Sequence, residues 1–140
     1  MKKHVIICPV DYSESTESAI SLAVDLAKVH HSKVILLHVV EPHGKPISMS
    51  EAVNHKFQER LRDQYLDLND IDHDHLNRHG DPAEVIIQDA ETFAADLIVM
   101  GTHGRSGWTG LVTGSVAKKV MANAHCPVVT VKLPTPVAKT

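Results

Sequence analysis

The segment KVILLHVV, residues 33–40, is apolar at almost every position. Successive side chains of a β-strand point to opposite faces of the sheet, so this strand would have no face suited to water. Strands of this kind occur inside parallel sheets that are covered by helices on both sides. The segment therefore predicts an α/β fold.

Other short apolar runs recur along the chain and predict further strands of the same sheet. They are HVIICPV at 4–10, DLIVMG at 96–101 and CPVVTV at 126–131. The segment DIDHDHLNRHG, at 70–80, is polar and weakly patterned, and it predicts at best an exposed edge strand.

Amphipathic helices are predicted between these runs. Segment 16–31 carries apolar side chains at helical spacing, and a second helix is predicted from about residue 50 to 68. Asp81 can cap a third helix, Pro82 suits its first position and Glu84 completes a capping box. A last helix is predicted to begin near residue 115. The alternation of strands and helices indicates an open, doubly wound parallel sheet with helices on both faces.

Composition fits one soluble domain, predicted to span residues 1–140 with a mobile tail at 132–140. Hydrophobic residues make up 43% of the 140 and charged residues 22%, which is a normal globular balance. The net charge of −3 gives no electrostatic reason to bind nucleic acid or an anionic membrane. No apolar run approaches the roughly 18 residues of a membrane span. The N-terminal run is too short for a signal peptide, so we expect a cytoplasmic protein without membrane insertion, with Cys8 and Cys126 as buried free thiols.

The segment GTHGRSGWTGLVTGSVAKKV, residues 101–120, places five glycines within fourteen residues, between a strand and a helix. Glycines let the backbone approach phosphate oxygens, and a helix N-terminus offers unpaired N–H groups and partial positive charge. Ser115 can cap that helix or donate its hydroxyl to phosphate. These features favour a phosphate cradle, with a simple surface loop as the alternative. Neither the P-loop nor the dinucleotide glycine pattern is present.

The spacing G-x2-G-x9-G-S, from Gly101 to Ser115, resembles the ATP-binding motif of the universal stress protein family. The segments CPVDYSE, LLHVVEP, GDPAEVI, ADLIVMGTHGRSG, GSVAKKV and CPVVTV are also similar to that family and occur in the expected order. The resemblance covers nearly the whole chain. It implies a Rossmann-like sheet of five parallel strands in the order 3-2-1-4-5.

The resemblance also implies an ATP site, with or without Mg²⁺, and assigns its residues. Val39 would hold adenine through its backbone, and Asp11 would contact the ribose. Asp11 can alternatively cap the following helix, and Ser13 is predicted to be that cap rather than a ligand. The remaining residues implied at the adenosine end are Pro9 and Val10, and those implied around the phosphates are Gly101, Gly104, Arg105, Gly114, Ser115 and Val116.

Efficient ATP hydrolysis is not predicted. Hydrolysis needs a metal held by carboxylate and hydroxyl groups and a residue that orients water, and no second acidic residue lies near the glycine segment. His103 is predicted to be an exposed loop residue, and His38 a hydrogen-bonded histidine of the core. We therefore expect a nucleotide-binding regulatory protein without catalytic residues. The alternative is a protein-interaction module of the same fold that binds no nucleotide.

The histidines and the final strand bear on metals and partners. His73, His75 and His79 form the tightest histidine cluster, but zinc needs three or four ligands. They are predicted to be solvated edge residues, with no metal bound by the protein alone. The resemblance implies a homodimer through the final strand, Val128–Val131, because the family commonly pairs this strand across a two-fold axis. Trp108 could close over a nucleotide or meet an unidentified protein partner.

Overall fold

The computed structural model describes residues 3–10, 14–40, 70–102 and 115–132, with side chains from residue 17 onward in the first helix. The predicted helix at 50–68 and the tail after residue 132 lie outside the described residues. The strands are β1 (Val5–Val10), β2 (Lys33–Val40), β3 (His73–His79), β4 (Leu97–Gly101) and β5 (Val128–Val131). The helices are α1 (Glu14–His30), α2 (Pro82–Thr92) and α3 (Ser115–Asn123).

The strands form one five-stranded sheet in the order β3-β2-β1-β4-β5. Every neighbouring pair is parallel, and β1 lies at the centre between β2 and β4. This confirms the predicted fold and strand order. Within the described residues, none of the helices has the length and apolar character needed to cross a membrane.

Two apolar layers cover the two faces of the sheet, and the central strand contributes to both. Ile6 and Cys8 of β1 pack in the layer that contains α1. Ile7, between them, packs in the opposite layer, with α2 and α3. The alternating direction of strand side chains produces this division. It explains why β1, β2 and β4 are apolar at almost every position.

The turn from β3 into α2 shows why glycine, aspartate and proline occur in succession at residues 80–82. Gly80 has φ of +141°, a conformation that side chains rarely permit, and its N–H donates to the Val40 carbonyl at 3.0 Å. Asp81 is the N-cap of α2, and its side chain accepts a hydrogen bond from the Glu84 N–H at 3.1 Å. Pro82 lies in the first turn, where a missing N–H leaves no hydrogen bond unmade. The predicted helix start is confirmed.

Strand β3 is polar because it lies at the edge of the sheet. Its residues are exposed or half-buried, as the sequence predicts for segment 70–80. Lys33 of β2 contacts Asp74 across the strand pair at 2.7 Å. This exposed ion pair raises the pKa of Lys33 and lowers that of Asp74, chiefly through their mutual hydrogen bond. Charged edge residues of this kind disfavour unwanted strand pairing.

The two cysteines are both free, but their environments differ. Cys8 is fully buried in β1. Cys126 is half-buried and precedes β5 rather than lying within it, so the expectation of a second fully buried thiol is wrong. The reason is that β5 is an edge strand and covers the chain leading into it less completely than a central strand would.

We expect thiol reagents to modify Cys126 before Cys8 in the folded protein. Burial raises the pKa of Cys8 to about 12, so the reactive thiolate does not form at neutral pH. Cys8 should react on the order of a hundredfold more slowly, since its labelling requires the strand to open. Pulsed iodoacetamide labelling with peptide mass spectrometry measures this ratio. Both thiols should react alike in denaturant, whereas equal labelling of the native protein would contradict the prediction.

Candidate functional site

The carboxyl ends of the parallel strands meet at one edge of the sheet. The chain passes from β1 to β2 on one side of the centre and later continues at β4 on the other side. In open α/β sheets, ligands bind beyond the strand ends where the order reverses in this way. The switch point here lies between the carboxyl ends of β1 and β4.

The pairing between β1 and β4 ends before the strands do. Hydrogen-bonded pairing joins Ile6 to Leu97 and Ile7 to Ile98, although β1 continues to Val10 and β4 to Gly101. On its other side, β1 pairs with β2 along all of its residues. Pro9 lacks a backbone N–H and so removes one ladder donor from this central strand. The carboxyl ends of β1 and β4 are therefore not joined by ladder pairs at the switch point.

Three of the residues implied at the adenosine end lie at the carboxyl ends of β1 and β2. Pro9 and Val10 are the last residues of β1, and both are buried. Val10 pairs with His38 of β2, so Val39 lies one residue further toward the carboxyl edge. Val39 is also buried, at 3% exposure. The structure therefore brings these three residues to the same edge.

The end of β4 lies on the other side of the switch point. Gly101 is half-buried and pairs with Val131 of β5. Immediately after the strand, the N–H of Thr102 donates to the Val131 carbonyl at 3.0 Å. These contacts fix the direction in which the chain leaves the sheet to enter the glycine segment.

The N-terminus of α3 lies at the carboxyl edge too. Because β4 and β5 are parallel, the helix that joins them runs back across the sheet and begins where β4 ends. Lys119 of its first turns contacts Asp81 at 3.7 Å and Glu84 at 3.7 Å, and these residues open α2. The first turn of α3 holds no acidic residue. Its N–H groups and the helix dipole therefore present partial positive charge at Ser115, which is exposed, and Val116, which is half-buried.

The remaining predicted residues lie outside the described part of the chain. Asp11 is the residue predicted to contact ribose, and Ser13 is the predicted cap of α1. The others belong to the glycine segment: Gly104, Arg105 and Gly114, predicted around the phosphates, and His103 and Trp108. Their assignments stay predictions from the sequence.

His38 is buried in β2, at 9% exposure, as expected for a histidine of the core. The metal prediction concerns a different part of the sheet. In residues 3–10, 14–40, 70–102 and 115–132, no group of three or more histidine, cysteine or acidic side chains could hold a metal ion.

One ion pair at the carboxyl half of the sheet was missed by the sequence reasoning. Arg78 of β3 is in register with Val39, and its Nε donates to Asp89 of α2 at 3.0 Å. Asp89 is almost buried, with 12% of its side chain exposed. An aspartate between Ile86 and Ala90 on the apolar face of α2 was the available signal, since a buried carboxylate needs a partner.

The sequence matches a known family over most of its length: a profile of the universal stress protein family matches residues 3–132. The chain belongs to this family. A universal stress protein of Methanocaldococcus jannaschii is 36% identical over 141 aligned residues, covering 92% of this chain and 82% of the relative. A universal stress protein of Thermus aquaticus is 34% identical over 134 residues, covering 91% of this chain and 97% of the relative.

Solved structures share the fold. The universal stress protein UspA from Lactobacillus plantarum has a TM-score of 0.75 at 24% identity, covering 94% of this chain and 99% of its own. A universal stress protein from Archaeoglobus fulgidus in complex with dAMP has a TM-score of 0.69 at 22% identity, covering 94% and 100%. One solved in complex with cAMP has a TM-score of 0.69 at 22% identity, covering 94% and 98%.

Proposed function

We propose that this universal stress protein binds ATP at the carboxyl edge of its sheet and acts as a nucleotide-responsive regulatory protein. The observation that carries the proposal is that the unpaired carboxyl ends of β1 and β4 and the N-terminus of α3 lie at the same edge of the sheet. An adenosine needs an apolar crevice, and a phosphate chain needs N–H donors and positive potential. Buried apolar residues at the ends of β1 and β2 and the N-terminus of α3 both lie at the switch point. The complexes of two structural neighbours with dAMP and cAMP support a nucleotide as the ligand.

Each part of the nucleotide then has a matching part of the site. Val39 would offer its backbone to adenine beside the buried Pro9 and Val10. Asp11, which follows β1, would accept hydrogen bonds from the ribose hydroxyls. The residues proposed to surround the phosphates are Gly101, Gly104, Arg105, Gly114, Ser115 and Val116. Mg²⁺, where it accompanies the nucleotide, would balance part of the phosphate charge.

Calorimetric titration of ATP into nucleotide-stripped protein tests the proposal. We expect binding near one per chain, and its loss in Gly114→Asp, because a carboxylate at that position would repel the phosphates and a side chain would block close backbone approach. Gln88→Asp is the matched control, since it adds the same charge on the exposed side of α2, away from the carboxyl edge. Equal affinity of Gly114→Asp and wild type would contradict the site.

The protein is proposed to bind ATP without turning it over efficiently. Asp11 is assigned to the ribose, so it would not hold a catalytic metal ion. The proposed phosphate site offers N–H groups that would balance charge, but no residue assigned to orient the attacking water. We expect steady-state ATP turnover well below about 1 per second, the lower end of typical enzymes. A phosphate-release assay on protein purified free of contaminating ATPases measures it. Turnover at or above that rate would contradict this part of the proposal.

A nucleotide-independent interaction module is the second candidate, favoured by the exposed edge strand β5. Val128, Val129 and Val131 are half-buried on a strand with one free side in the described chain. Strand pairing with a second copy would cover this apolar edge.

We propose a homodimer through Val128–Val131, located in the cytoplasm. Sedimentation at micromolar concentration should give a dimer that Val129→Lys dissociates, and a wild-type monomer would contradict it.

The ATP-binding hypothesis and the interaction-module hypothesis predict different effects of added ATP on the free energy of unfolding. A protein that binds ATP only when folded gains stability as ATP is added, whereas the module without a nucleotide does not. In the ATP-binding case, occupancy would order the glycine segment and change the surface offered to a further, unidentified protein partner. Hydrogen exchange of the segment with and without ATP tests that link, and identical protection would remove it.

A further inference from the structure

Two histidine rings meet on one face of the outer strand β3, far from the proposed nucleotide site. His73 and His75 are two residues apart, so their side chains leave the same face of the sheet. Their ring centroids are 5.9 Å apart and the ring planes lie at 75°. His73 is half-buried and His75 is exposed. Two imidazoles are therefore held together where an ion from solvent can reach them.

The ring of His73 is oriented by the backbone. Its Nδ1 lies 3.1 Å from the carbonyl oxygen of Ile71. A carbonyl oxygen can only accept a hydrogen bond, so Nδ1 carries the proton and Nε2 of the neutral ring keeps its lone pair. Metal-binding histidines show this arrangement, in which the second nitrogen donates to a carbonyl and fixes both tautomer and ring direction.

The separation of the rings fits one shared ion after a small rotation. With metal–nitrogen distances of about 2.1 Å and an angle near 100°, two coordinated rings have centroids roughly 5 Å apart. The observed separation is within about 1 Å of that value, and side-chain torsions can supply the difference.

The neighbouring carboxylates are held in other contacts. Asp74 lies on the opposite face of β3 and contacts Lys33 at 2.7 Å. Asp72, just before the strand, contacts Lys3 at 3.3 Å. The donor set at the pair is therefore imidazole nitrogen, which suits Zn²⁺, Ni²⁺ and Cu²⁺ and not Mg²⁺ or Ca²⁺.

We propose that His73 and His75 form a two-ligand site for an exchangeable divalent transition-metal ion on the outer edge strand. Water or a donor from another molecule completes the coordination. This site differs from the zinc site with three or four protein ligands that the sequence analysis did not favour. Two protein ligands leave the ion open to water and to exchange. The ion would add a charged, exchangeable contact point to a surface otherwise stabilised by exposed ion pairs.

The test is a calorimetric titration of tag-free, metal-stripped protein with NiCl2 near pH 7.5. His73→Gln and His75→Gln should each weaken the tightest site by about tenfold or more, the scale on which metal sites respond even to outer partners. In free energy, the double variant should lose less than the sum of the two single losses, since both rings serve one ion. The matched control is His79→Gln, because residue 79 lies about 13 Å along the strand from residue 75.

Unchanged affinity in His73→Gln, or an equal loss in His79→Gln, would overturn the proposal. A second measurement needs no variant. In the wild-type protein, substoichiometric Ni²⁺ should broaden the assigned ring resonances of His73 and His75 before those of any other histidine. Broadening that starts elsewhere would also overturn it.

Discussion

Ile86→Ala is expected to lower the free energy of unfolding by about 3 kcal/mol, within the range for large core side chains replaced by alanine. Ile86 is fully buried on the inner face of α2. It belongs to the apolar layer that also contains Leu37, Met100 and Val120, so it joins two strands of the sheet to α3. Truncation would leave a cavity that a rigid sheet cannot close by relaxation.

Equilibrium unfolding in urea, followed by circular dichroism, measures this loss. Ile87→Ala is the matched control, because Ile87 is the next residue of the same helix and only half-buried. Ile87→Ala removes the same atoms but should lower the free energy of unfolding by less. A loss below about 1 kcal/mol for Ile86→Ala, or equal losses for both variants, would mean that the layer repacks around the cavity and that α2 is not rigidly positioned.

The fold could be predicted because its inner strands have no polar face. Apolarity on both faces of 33–40 requires cover on both sides, and that requirement leads directly to a parallel sheet with helices on each face. The start of α2 was equally readable, since an N-cap, a proline and a first-turn acid are local chemistry. Asp81 indeed accepts from the Glu84 N–H. Helix caps and strands that are apolar on both faces can be recognised because each depends only on residues that are consecutive in the sequence.

Parts of the candidate site that depend on distant residues could not be predicted in this way. The family resemblance named Val10, Val39 and Gly101, and the structure places all three at the carboxyl edge. The early end of the β1–β4 pairing was not foreseen, because it depends on the register of strands about 90 residues apart. The Nδ1 hydrogen bond of His73 was also not foreseen, since its partner is a backbone carbonyl that no sequence pattern marks.

The pair Arg78–Asp89 is expected to respond asymmetrically to mutation. Arg78→Met should cost about 2 kcal/mol, because it leaves the carboxylate of Asp89, 12% exposed, without its 3.0 Å contact to the guanidinium. Asp89→Asn should cost about 1 kcal/mol or less, because the Arg78 side chain is 41% exposed and its charge can turn to water. These values lie below the cost of breaking a fully buried pair, since solvent screens the arginine.

A double-mutant cycle separates the interaction from the effects of each residue. Arg78→Met should cost clearly less in the Asp89→Asn background than alone, because no buried carboxylate is then left unpaired. Urea unfolding of the wild type, both single variants and the double variant gives the coupling energy. Purely additive losses would show that the contact adds no stability. Coupling would mean that this ion pair holds β3 against α2 beside Val39, so the same variants should also be titrated with ATP.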